Sequence, residues 1–151
     1  MAKGNKQVKQ REQVTSGKQP KTVEDPQAYF KKSPIWSFRR LDDEYTKWGF
    51  AHTAQLNERV IHELRSLEGM TWYQIMSAAG GRGHGTNSHF EKVAELIPEA
   101  QARWKYLKLE EYDTVFSLRL TNTHRLYGIL LNGVFQIVWY DQKHEIYPTS
   151  D

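Results

Sequence analysis

The segment Thr114–Tyr140, TVFSLRLTNTHRLYGILLNGVFQIVWY, decides the fold. It contains three strand-like runs, Thr114–Leu120, His124–Leu131 and Val134–Tyr140. Asn132-Gly133 joins the last two, and this dipeptide is a strong hairpin signal because both residues tolerate the positive φ of a tight two-residue turn. The turn sets the pairing. Leu131 faces Val134, Leu130 faces Phe135, Gly128 faces Ile137 and Leu126 faces Trp139. The last three pairs form an apolar face that must be core. The other face carries Ile129 with Gln136, Tyr127 with Val138, and Arg125 with Tyr140.

The preceding turn, Thr121-Asn122-Thr123, is looser, and its register follows from keeping apolar residues on the core face. That puts Leu118 opposite Leu126, Phe116 opposite Gly128, and Arg119 directly opposite Arg125 on the open face beside Tyr140. Two guanidiniums facing each other across a sheet repel. Two readings stay open: a carboxylate from Asp113, Glu110, Glu111 or Glu145 neutralises them, or they cradle a phosphate, whose oxygens match guanidinium forks bidentately.

Working outward, Ile35–Leu41 reads as a first strand with Trp36 and Phe38 on one face. Thr53 can cap a helix whose stripe is Leu56, Val60, Ile61, Leu64 and Leu67, ended by Gly69. Thr71 with Gln74 forms a capping box for a short helix through Ala79. Gly80–Gly85 is a loop, and Ser88 with Glu91 reads as a second capping box. The helix it opens buries Phe90, Val93, Ala94 and Ile97, kinks or restarts at Pro98 and runs to about Leu107. The expected architecture is α+β: a small antiparallel sheet in the order β-α-α-α-β-β-β with helices packed on one face.

Residues 1–27 are rich in Lys, Gln, Gly, Ser and Pro and nearly free of apolar side chains, so they read as a disordered basic tail before a single α+β domain at 28–151. Charge divides the same way. Lys3, Lys6, Lys9, Arg11, Lys18 and Lys21 against Glu12 give residues 1–22 a net +5, whereas the remainder, with 15 basic and 17 acidic residues, nets −2. Affinity for nucleic acid must therefore come from the tail or from a local patch. The chain has no Cys, which excludes disulfides, thiolate catalysis and thiolate zinc sites. No apolar run approaches the roughly 20 residues of a membrane span, and the N-terminus lacks an apolar leader core. The expectation is a cytoplasmic protein that does not engage a membrane.

The stretch Phe116–Tyr147, with an Arg-led middle strand and a His/Tyr group just after the last strand, resembles the end of toxins of the RelE/ParE superfamily. The strand around Trp36–Leu41 followed by helices is similar to that family's order. The chain differs in its long tail, its third helix and its slightly acidic body. The resemblance implies a metal-independent endoribonuclease toxin acting on mRNA at the ribosome, without cofactor, and with an antitoxin protein as partner. It implies catalytic roles for Arg125, His144 and Tyr147, with Glu145 as a base if desolvated. Attack of a ribose 2′-OH on phosphorus needs a proton acceptor, a proton donor and cations around the phosphoryl oxygens. Arg119, Tyr140, Lys143 and Arg82 are the candidate nucleic-acid contacts. The alternative is a non-catalytic domain of the same fold that binds protein or nucleic acid. His84 and His89 flank the glycine loop without the partners a metal site requires. The five tryptophans read as core rather than as stacking platforms.

Overall fold

The structure, a computed structural model, describes residues 25–50, 57–78 and 87–148. Its elements are β1 (Ile35–Ser37), α1 (Asn57–Glu68), α2 (Trp72–Ser77), β2 (His89–Lys92), α3 (Pro98–Tyr106), β3 (Thr114–Arg119), β4 (Arg125–Leu131) and β5 (Val134–Asp141). The expected tail at 1–27 lies almost wholly outside the described residues, as do Thr53 and the glycine loop with Arg82 and His84.

The chain is mixed α+β, but the sheet has five strands in the order β1-β5-β4-β3-β2, with β1 parallel to β5 and the other neighbours antiparallel. The extra strand is the segment that reads as a capped helix. Ser88 caps nothing; its hydroxyl accepts the Arg119 N–H at 2.9 Å. His89–Lys92 then pairs with Thr114–Ser117, and Phe90 sits against the Phe116 ring at 5.0 Å between centroids. A strand edge left open by β3 outweighs a local helical signal, since tertiary pairing routinely overrides propensity. The helix starts only at Pro98, whose fixed φ suits a first helical position.

The hairpins place the rest. Asn132 and Gly133 have φ of 50° and 83°, as a tight two-residue turn requires. Gly133 O accepts the Trp72 indole N–H at 2.9 Å and the Ile35 N–H at 3.3 Å, which docks α2 and β1 on the turn. Thr71 and Gln74 form the expected capping box. The β3–β4 register is the expected one, including Arg119 opposite Arg125. The β4–β5 register holds from Leu131 to Gly128, and then Val138 bulges. Beyond it Tyr127 faces Trp139, Leu126 faces Tyr140, and Arg125 faces Asp141 rather than Tyr140. A bulge puts two successive residues on one face, so Tyr140 is carried to the side opposite Arg125.

Helices pack on both faces, not one. The first core joins Val60, Leu64, Trp72 and Ile75 to Phe116, Leu118, Leu126, Phe135, Ile137 and Tyr140. The second joins Trp48, Leu96, Ala100, Trp104 and Ile146 to Val115, Tyr127, Ile129, Val138 and Trp139. Trp48 and Trp104 meet Trp139 edge-on at 5.7 and 5.5 Å, an arrangement the ring quadrupoles favour. Buried Asp42 anchors this layer. It accepts both arms of the Arg103 guanidinium, at 2.8 and 2.7 Å, and the Trp139 indole N–H at 3.0 Å. The middle of the face expected to be open is therefore covered. Among the described residues no helix is long and apolar enough to cross a membrane.

Candidate functional site

Beyond the second core, at the end of the sheet carrying the β3–β4 turn, the same face turns polar. Arg119 and Arg125 meet there as register partners. Their guanidiniums converge on one acceptor, the Thr121 carbonyl, which Arg119 Nε reaches at 3.3 Å and Arg125 Nη1 at 3.1 Å. Arg119 also donates from Nη2 to the Asn122 side-chain oxygen. Among the described residues neither arginine has a carboxylate within ion-pair distance, so none of Glu110, Glu111, Asp113 and Glu145 neutralises the pair. Shared carbonyl dipoles and a nearby buried acid make the like charges tolerable.

That acid is Asp141, fully buried opposite Arg125. Its carboxylate accepts the Lys143 N–H at 3.2 Å and the Ile146 N–H at 2.9 Å. These bonds pin the turn after β5, and the Ile97 N–H bonds to Ile146 O at 3.0 Å behind it. The turn carries His144, half-buried with φ of 57°. Left-handed backbone costs a non-glycine residue free energy, and such positions gather at functional sites. Burial lowers the His144 pKa, the Arg125 charge lowers it further, and Asp141 and Glu91 oppose. The imidazole is therefore a neutral proton acceptor at neutral pH.

β2 closes the group from the side. Glu91 holds the Tyr147 phenol above its usual range, chiefly through its charge and also by hydrogen bonding. Glu91 is also paired with His89 Nε2. Burial pushes the Tyr127 phenol well up, and Ser117 opposes by hydrogen bonding. Burial likewise lowers the Arg125 pKa, and the Arg119 charge adds to this while Tyr127 and Asp141 oppose. Arg125 is 1% exposed and forms the floor of the group, whereas Arg119, His144 and Tyr147 are each partly exposed at its rim.

Of the residues expected to act, Arg119 and Arg125 are register partners, the Arg125 charge reaches His144, and Glu91 acts on both His144 and Tyr147. Tyr140 lies on the opposite face, its phenol bonded to His124 Nδ1 and its ring against Phe50 at 6.4 Å. The bulge at Val138 is the reason. Glu145 is exposed and accepts the Trp48 indole N–H at 3.4 Å, so it lacks the desolvation a carboxylate base needs. Lys143 is exposed beside the group and joins it through its backbone N–H. Arg82 lies outside the described residues. Sequence reasoning missed Asp141, Glu91 and Tyr127. Glu91 was hidden because its segment carries a local helix-capping signal that only pairing with β3 overrides. A bulge leaves no local mark, and Asp141 was out of reach.

The described residues contain no group of three or more His, Asp or Glu placed to hold a metal ion. The polar group offers two register-paired guanidiniums, an imidazole that the Arg125 charge reaches, and a protonated phenol beside Glu91. Comparison of the chain with protein-family models, with curated proteins and with solved structures finds no match.

Proposed function

We propose that this chain is a RelE-like endoribonuclease that cuts mRNA without a metal. The observation that supports it is a neutral imidazole, His144, held beside a guanidinium pair that no described carboxylate neutralises. In this reading the Arg119 fork takes the phosphoryl oxygens from the rim and Arg125 adds its charge from below. His144 accepts the 2′-OH proton as the 2′ oxygen attacks phosphorus. The P–O5′ bond breaks, the Tyr147 phenol supplies the proton to the leaving oxygen, and the products are a 2′,3′-cyclic phosphate and a free 5′-OH. Glu91 and Asp141 hold the proton-transfer groups in place. The reading includes action at the ribosome in the cytoplasm and control by an antitoxin protein.

The burial of Arg125 favours a second reading, a non-catalytic RNA-binding domain in which the pair only attracts the backbone. One experiment separates them. The full chain is incubated with an RNA oligonucleotide and a chelator, and the ends are examined. The first reading expects cyclic-phosphate ends and no cleavage when the ribose is 2′-O-methylated or His144 is replaced by Ala. Retention of intact RNA by the wild-type chain would leave the binding role.

A further inference from the structure

We propose that the nucleic-acid track continues over the β3–β4 turn to the opposite face of the sheet, where Arg59 and His124 take a second phosphate of single-stranded RNA. This rests on the endoribonuclease reading and extends it by giving the substrate's path. Side chains alternate along a strand, so Arg125 and its chain neighbour His124 leave the start of β4 on opposite sides. His124 Nδ1 is bonded to the Tyr140 hydroxyl, on the side of α1 and α2. Nε2 remains as the second hydrogen-bonding atom of this partly exposed ring.

Helix α1 brings the cation. Val60 is buried in the same cluster as Leu126 and Tyr140, and exposed Arg59 precedes it. The Arg59 charge reaches both His124 and Tyr140. Glu63 stands four residues on, a spacing at which Arg and Glu commonly pair, yet it is not within ion-pair distance of Arg59. The turn is thus flanked by Arg59 on one face and by Arg119, Arg125 and Lys143 on the other. Among the described residues none of the four is ion-paired. The nearby acids are Asp141, buried with both oxygens engaged, Glu63, Glu91, which is paired with His89 Nε2, and Glu95 beside Tyr147. Two cationic stations on opposite sides of a short turn suit a flexible single strand. A duplex is stiff over lengths far greater than this turn and cannot fold round it.

The test measures binding apart from cleavage. A fluorescent 2′-O-methyl RNA oligonucleotide is titrated with the full chain over a range of salt concentrations. Arg59→Ala is expected to weaken binding about threefold to tenfold and to lower the salt slope by about 0.7, as for one lost phosphate contact on a single strand. Arg119→Ala should do the same, and the double variant should show both losses. Arg65→Ala, further along α1, should leave both quantities unchanged. Wild-type affinity and slope in Arg59→Ala, alongside a loss in Arg119→Ala, would confine the track to the first face and overturn the proposal while sparing the endoribonuclease reading. Equal affinity for duplex RNA would also overturn it. Failure of the wild-type chain to bind RNA would end both.

Discussion

Arg125 and Asp141 face each other across β4 and β5 only because Val138 bulges between them and the hairpin turn. In unbroken register Arg125 would face Tyr140, and the acid would fall beyond the end of β4. The bulge is held from outside the sheet, where the Asp42 N–H bonds to Val138 O at 3.0 Å and the Tyr140 N–H to Trp48 O at 2.7 Å. One inserted residue thus puts a buried acid beneath the guanidinium pair and ties the following turn to it.

Asp141→Asn is expected to loosen that turn. The amide keeps one acceptor oxygen where the carboxylate has two, so either the Lys143 or the Ile146 N–H loses its partner. An unmet buried donor costs about 1–3 kcal/mol, which urea denaturation would register as a lower midpoint. Under the proposed endoribonuclease reading RNA cleavage should fall as well, because His144 and Tyr147 ride on this segment. An unchanged midpoint would show that the two bonds do not hold the turn.

His144→Gly should separate stability from activity. Glycine takes the left-handed backbone at position 144 without the penalty of a Cβ. Stability should stay within about 1 kcal/mol of the wild-type chain, while cleavage falls about 10²- to 10⁴-fold with the loss of the proton acceptor. Full activity in this variant would remove His144 from the mechanism.

Under the proposed endoribonuclease reading, the pH dependence of cleavage follows from the lowered His144 pKa. Burial and Arg125 both disfavour the imidazolium, so the basic form persists below the ordinary histidine value of about 6.5. Cleavage should hold through that pH and decline only as pH falls through the lowered value. Removing the neighbouring charge with Arg125→Met should move the midpoint upward. Titration of the His144 ring by NMR checks both directions, and a midpoint at or above 6.5 would contradict the geometry.

Acid stability depends on Asp42. Burial alone would raise its pKa, but bonds from Arg103 and Trp139, the Arg103 charge and the Glu44 N–H together hold it below the usual range. A depressed folded-state pKa contributes stability that is complete above the unfolded value, about 3.9, and is lost as pH falls through the folded value. Arg103→Ala should cost about 2–4 kcal/mol at neutral pH by leaving a buried acid unpaired. It should also flatten the acid limb of the stability curve. A parallel shift of the whole curve would assign the cost to packing against the Tyr45 and Tyr106 rings instead.

Gly128→Ala tests the bulge. A Cβ at this position would fall on the Gln136 carbonyl and also press Phe135 at 3.0 Å. Neither backbone nor packed ring can yield cheaply, so a loss of about 3 kcal/mol or more is expected. A melting temperature within a degree of wild type would mean that the strands can separate there.

Much of the sheet was legible because its signals are local. Asn132-Gly133 sets its own hairpin, the alternation in Phe116–Arg119 and Arg125–Gly128 sets the next register, and Thr71 with Gln74 caps its own helix. These depend on residues within a few positions of one another. Arg119 and Arg125 could therefore be paired from sequence, whereas His144 and Tyr147 were associated with them only through the family resemblance.

What the sequence determined by itself is the three-stranded meander with two arginines side by side at one end. Tertiary structure alone decided that His89–Lys92 is a strand, that a second helical layer covers the other face, and that Asp141 rather than Tyr140 sits opposite Arg125. Each of those outcomes turns on contacts between distant segments, such as Ser88 with Arg119 and Asp42 with Val138. Their free energy exists only once the chain has collapsed, so no short window of sequence carries it.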